Sequence, residues 1–114
     1  MKFLTKLANS IRESSSVLCI GLDPNSARLP AQVRTFSEDP VEQVVYFCHQ
    51  VIQATEKYCA AFKPNVAFFE ALGPHGLDAF NRVVSAIPKR HIIIADAKRG
   101  DISTTAEHLS LIHI

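Results

Sequence analysis

Apolar residues recur along this chain in two rhythms, and the rhythm changes wherever turn-forming residues intervene. Phe3, Leu4, Leu7 and Ile11 stand at helical spacing until Ser14, Ser15 and Ser16 interrupt them. Val17 to Leu22, VLCIGL, then forms a short β-rich run. From Asp23 to Asp39, with Pro24, Asn25, Ser26 and Pro30, the chain reads as a long polar connection. Asp39-Pro40 then supplies an N-cap with proline at the first helical position. Val41, Val44, Val45, Cys48, Val51, Ile52 and Thr55 mark one face of the following helix, which is expected to run to about Lys57. Tyr58 to Pro64 reads as a second strand, closed by a proline that has no ladder donor. Val66 to Leu72 predicts a short helical stretch broken at Gly73-Pro74. Leu77, Phe80, Val83, Val84 and Ile87 give another amphipathic helix, stopped by Pro88, and His91 to Ala95 form the third strand.

The predicted order is therefore α-β-α-β-α-β. Strands alternating with helices of this length favour parallel βαβ units, because a right-handed crossover helix covers the sheet its strands build. The fold class is α/β. A near-continuous apolar strand such as HIIIA fits a parallel sheet covered on its faces or a stave of a (β/α) barrel. Three strands cannot close a barrel, so the chain reads as the first part of one domain.

Chemistry collects at the carboxyl ends of these strands. The first ends in Gly21-Leu22-Asp23-Pro24, the second in Phe62-Lys63-Pro64-Asn65, and the third in Ala95-Asp96-Ala97-Lys98 followed by Arg99-Gly100-Asp101. Ligands bind at that edge in α/β sheets and barrels, where the βα loops and helix N-termini converge. Alternation points Asp96 and Lys98 to one face, with the small Ala97 between them directed away. Gly100 permits a sharp turn that brings Asp101 to the start of the next helix. A single strand-end charge such as Asp23 is most often a solvated cap, and Arg99 reads equally well as a structural charge. Two acids and two bases on one rim are another matter, since they are costly to desolvate unless paired or used.

Composition narrows the classes further. The 114 residues are 47% hydrophobic and 20% charged, which suits a globular chain, and the net charge of +1 offers no general attraction for nucleic acid or anionic membrane. No run approaches the roughly 18 apolar residues of a membrane span, so a cytoplasmic protein is expected. Cys19, Cys48 and Cys59 lie in apolar patterns without CxxC spacing and are expected to be buried free thiols. His49, His75, His91, His108 and His113 show no ligand spacing, so no metal site is expected.

GLDP, FKPN and DAKRGDI followed by Thr104-Thr105-Ala106, in that order and spanning about Ser16 to Ala106, together resemble the orotidine 5′-phosphate decarboxylase family, particularly its longer bacterial branch. The resemblance implies the N-terminal part of a dimeric (β/α)8 TIM barrel, with about three of its eight strands present. It further implies conversion of orotidine 5′-monophosphate to UMP and CO2, the last step of de novo pyrimidine synthesis, with neither metal nor organic cofactor. Carried over by motif, Lys63, Asp96, Lys98 and, from the neighbouring subunit, Asp101 form an alternating charge network. Lys98 protonates C6 and Asp23 binds the ribose hydroxyls, with Lys63 linking that region to the carboxylates. Ile102 and Thr105 match positions presented across the dimer interface, while Ser103 departs from the usual glycine.

Two rival readings stay open beside it. A magnesium-dependent sugar-phosphate decarboxylase or aldolase of the same barrel group shares DxKxxD but holds its ion partly through an acid on the second strand, where this chain has Lys63. A non-catalytic α/β module could instead use the rim charges merely to hold a phosphate. The tail LSLIHI, Leu109 to Ile114, departs from the family pattern. It also translates CTGTCTCTTATACACATC, the end of a transposon used to make sequencing libraries, so residues 109–114 are expected to be non-native and residues 1–108 part of one barrel domain. A chain of this extent is expected to be inactive alone and poorly soluble.

Overall fold

Helix α1 (Phe3–Ser14) ends where Ser15 takes a left-handed φ of 53° and returns its N–H to the Ile11 carbonyl. The computed structural model describes residues 2–98, 103–105 and 107. After α1 come β1 (Cys19–Leu22), a 3-10 turn (Ser26–Arg28), α2 (Ala31–Phe36) and α3 (Pro40–Thr55). A second 3-10 turn (Glu56–Tyr58) leads to β2 (Ala61–Pro64), α4 (Val66–Glu70), α5 (Gly76–Ala86) and β3 (Ile92–Ile93). The strands form one parallel sheet in the order β1-β2-β3, as the alternating rhythm predicts.

Register is set by which residues the helices cover. Cys19 pairs with Ala61 and Gly21 with Lys63, while Ala61 in turn faces Ile92. Leu22 and Phe62 are buried against α3 and α5, which contribute Val44, Val45, Cys48, Ile52, Ala79 and Val83 to the core. Burying side chains of this size removes roughly 1.5–3 kcal/mol of apolar exposure each, so these few residues dominate the packing. The ladder extends beyond the strands: Asn65 N donates to the Leu22 carbonyl and Asp96 N to the Pro64 carbonyl, both at 3.0 Å. Polar ties fix the outer helices. Ser10 Oγ, buried, donates to the Ala60 carbonyl at 2.7 Å, and Arg82 grips Glu42 with two N–H donors at 2.7 and 2.9 Å, joining α5 to α3. At the start of α5, a Cβ on Gly76 would lie 1.9 Å from the Phe69 carbonyl oxygen, so glycine lets the backbones of α4 and α5 touch.

Several expectations need correction. The segment from Asp23 to Asp39, read as a long polar connection, holds the turn at Ser26–Arg28 and helix α2. Within α2 only Val33 is buried, and one apolar contact per helix leaves no periodicity to read. The apolar runs also overstate the strands. Val17 and Leu18 precede β1, Tyr58 belongs to a 3-10 turn, and β3 pairs over two residues before an isolated bridge, Asn65 to Asp96, resumes it. The second long helix stops at Thr55, close to the expected end, and its Asp39 cap accepts from Val41 N at 2.9 Å as anticipated. Cys48 and Cys59 are buried but Cys19 is exposed, because it projects from the sheet face that the helices do not cover. Arg99, Gly100, Asp101, Ile102 and the segment 108–114, with its expected domain boundary, lie outside the described residues. No helix among the described residues is long and apolar enough to cross a membrane.

Candidate active site

Parallel register carries the three strand ends to one rim. Gly21 sits level with Lys63 and Asn65 with Asp96, and alternation then places Asp23, Lys63, Asn65, Asp96 and Lys98 on the uncovered face of the sheet. The contacts agree with that placement.

Asp96 is held at both backbone groups, its N–H donating to Pro64 O at 3.0 Å and its carbonyl accepting from Val66 N at 2.9 Å. The first turn of α4 therefore clamps the end of β3, and the Asp96 carboxylate has little freedom. Lys98 Nζ donates to both of its oxygens, at 2.6 and 2.5 Å. The two ends of this pair differ in setting, the Asp96 side chain being 14% exposed and that of Lys98 84%. The hydrogen bond from Lys98 is the chief cause that holds the Asp96 carboxyl below the usual aspartate range; burial opposes it, and the charges of Lys98 and of Lys63 on the neighbouring strand assist. Lys63, half-buried within β2, thus acts on the same carboxylate that Lys98 binds.

Asp23 is positioned by two residues that motif reading did not single out. Asn65 Nδ2 donates to Asp23 Oδ1 at 3.0 Å, while Asn65 Oδ1 caps α4 by accepting from Ala67 N at 3.1 Å. The other Asp23 oxygen folds back over Gly21, where an added Cβ would stand 2.9 Å from Oδ2. The Asn within FKPN and the Gly before LDP were the available signals, but their meaning depends on β1 lying beside β2.

Of the expected site residues, Asp23, Lys63, Asp96 and Lys98 converge on this rim. Thr105 is helical and exposed, and Asp101 and Ile102 lie outside the described residues. Chemically, the rim offers cations alternating with carboxylates beside a hydrogen-bonded acid, an arrangement suited to binding a hydroxylated anion and moving a proton.

Residues 16–111 match the model of the orotidine 5′-phosphate decarboxylase / HUMPS family. An orotidine 5′-phosphate decarboxylase of Leptospira interrogans is 39% identical over 109 residues, and one of Roseiflexus sp. is 43% identical over 107; these alignments cover 93% and 94% of this chain but 38% of each relative. The solved structure of Leishmania donovani OMP decarboxylase superposes with a TM-score of 0.70 at 36% identity, covering 95% of this chain and 38% of that one. The open three-stranded sheet is therefore the counterpart of part of such a barrel, and the chain spans well under half the length of the relatives it matches. On these grounds the chain belongs to the orotidine 5′-phosphate decarboxylase / HUMPS family.

Proposed function

We propose that these residues are the N-terminal catalytic half-site of an orotidine 5′-phosphate decarboxylase of the longer bacterial branch, which releases CO2 from orotidine 5′-monophosphate to give UMP. The observation that carries the reading is the Lys98–Asp96 ion pair, reinforced by Lys63, on the rim that also holds Asp23.

Breaking the C6–carboxylate bond leaves its electron pair on C6, with CO2 as the leaving group. Lys98, oriented by its hydrogen bonds to Asp96, stabilises that developing charge as an ammonium and then delivers its proton to C6. Asp96 stands near the departing carboxylate and joins the network to Lys63, while Asp23 accepts from the ribose hydroxyls. Asp101 completes the network from a second subunit, and Ile102 and Thr105 line the interface of a cytoplasmic homodimer. The chemistry needs neither a metal nor an organic cofactor in this scheme. A lysine on the second strand beside Asp96 disfavours the magnesium-dependent alternative, because a cation there opposes a divalent ion. Phosphate binding falls to chain beyond these residues, so the 114-residue polypeptide alone is expected to be inactive, and residues 109–114 are taken as an adapter-derived tail.

The test is an assay of the source gene's product, resequenced past Glu107, with orotidine 5′-monophosphate in the presence and absence of a chelator. Chelator-insensitive UMP formation that falls at least ~10³-fold in Lys98→Ala supports the reading. Activity lost on chelation favours the magnesium branch, and the absence of decarboxylation with phosphate-ester binding retained favours a non-catalytic module. An open reading frame that continues natively through LSLIHI removes the adapter assignment.

A further inference from the structure

Asp96 is placed by a short helix, and that helix is placed in turn by a glycine at its far end. Val66 N, in the first turn of α4, donates to the Asp96 carbonyl at 2.9 Å, and Asp96 N donates to the carbonyl of Pro64, two residues before that turn. Helix α4 spans only Val66–Glu70, barely more than one turn, so a displacement of its last residues is carried to its first.

Gly76, buried at the start of α5, packs on those last residues. A Cβ there would lie 1.9 Å from the Phe69 carbonyl oxygen and 2.8 Å from its carbon, so the two backbones would have to part by roughly 1 Å. The helices are not equally free to yield. Helix α5 is anchored in the core by the fully buried Ala79 and Val83 and is tied to α3 by the Arg82–Glu42 fork. Helix α4 is held by Val66 and Phe69, and the Phe69 ring meets Phe80 of α5 edge-on at 5.4 Å. Close-packed interiors transmit such strain to the less anchored element, here α4 and the backbone that holds Asp96.

We propose that Gly76 is a remote positioning residue for the Asp96–Lys98 pair: by letting α5 touch α4, it sets where the Asp96 backbone, and with it the pair, stands on the rim. The role in catalysis rests on the decarboxylase reading of that rim. A misplacement of about 1 Å caused far from the reacting atoms can cost on the order of 10²-fold in rate.

Gly73, in the same connection, supplies the control. Its φ is 87° and an added Cβ would meet nothing within 4 Å, so alanine there strains the backbone without pushing on either helix. Gly76→Ala and Gly73→Ala are made in the full-length product of the source gene, and Val66 amide exchange, thermal midpoint, kcat and KM are compared with the parent. Both variants should lower the midpoint. Only Gly76→Ala should speed Val66 exchange and lower kcat, each at least about tenfold, with KM moving less. If Gly76→Ala does not fold, Phe80→Leu removes the ring against Phe69 without a backbone clash and should produce the same two changes at smaller size. Unchanged Val66 exchange or unchanged kcat in the variant that folds, or equal changes in Gly73→Ala, overturns the proposal. A parent that does not decarboxylate orotidine 5′-monophosphate overturns the reading of the rim instead, and Val66 exchange still decides whether Gly76 holds Asp96 in place.

Discussion

Asn65 serves two masters, holding Asp23 with its amide nitrogen and capping α4 with its oxygen. Removing the side chain mixes a positioning effect with a helix effect, so two variants are needed. Asn65→Asp keeps a good cap acceptor but sets a carboxylate against Asp23, whereas Asn65→Ala loses both functions. In a full-length protein with the proposed decarboxylase activity, both should raise KM about tenfold with kcat changed much less, and only Asn65→Ala should also lower thermal stability. Equal losses in kcat, or an Asn65→Asp protein that binds normally, would refute the positioning role. The cysteines separate as sharply. Burial pushes the Cys48 thiol up to about 12, with the Asp23 charge adding to it, and burial also raises Cys59, while Cys19 lies exposed. Alkylation of the folded protein followed by peptide mapping should therefore label Cys19 first and Cys48 only after denaturation. Sequence pattern could not tell Cys19 from Cys59, because an apolar strand neighbourhood looks the same whichever face is covered.

The helices that carry the sheet show where sequence was informative. Helices α3 and α5 were legible because each sustains an apolar stripe and has a plain start or stop, Asp39-Pro40 for one and Pro88 for the other. Helix α2 was not, having one buried residue, and strand lengths were misjudged because apolar runs report burial while ladders depend on a neighbour. The convergence of Asp23, Lys63, Asp96 and Lys98 followed from alternation of strand and helix alone, yet the Asn65–Asp23 contact required the β1/β2 register. Between elements, the Arg82 fork makes its own prediction. Its hydrogen bonds hold the Glu42 carboxyl below the usual glutamate range, with the Arg82 and His49 charges assisting and burial opposing. A carboxyl lowered in the native state binds fewer protons there than in the unfolded chain. Its stabilisation is thus complete above the ordinary glutamate pKa and disappears as pH falls from there through the lowered native value. Urea midpoints of the parent and Glu42→Gln should differ at neutral pH and converge in that acidic window, and the difference should shrink with salt because both side chains are 40% exposed. A pH-independent difference would show that the pair contributes by packing instead.

As a body, the chain is a thin slab. It extends 42 × 40 × 18 Å with a radius of gyration of 15.3 Å, against about 13 Å for a compact domain of this length. The thickness matches one sheet with α3 and α5 on one side; on the other face Ala61 and Ile92 are buried where α1 meets β3, and the part toward the strand ends is left open. Val17 is 84% exposed and Ile94 43%, and β1 and β3 each pair on one side only among the described residues. Parallel strands with bare edges and an apolar face are templates for further pairing, and little on this slab blunts them, since the charges gather at the rim rather than along the edges. Relatives that are more than twice as long have chain with which to cover such surfaces. The purified 114-residue polypeptide should therefore associate between ~1 and ~100 µM, seen as rising weight-average mass in sedimentation, and should enhance the fluorescence of an apolar dye. Adding salt should not dissolve the assemblies, because apolar and backbone contacts hold them rather than the screened rim charges. A monomer across that range, without dye binding, would mean that the open face closes on itself in solution.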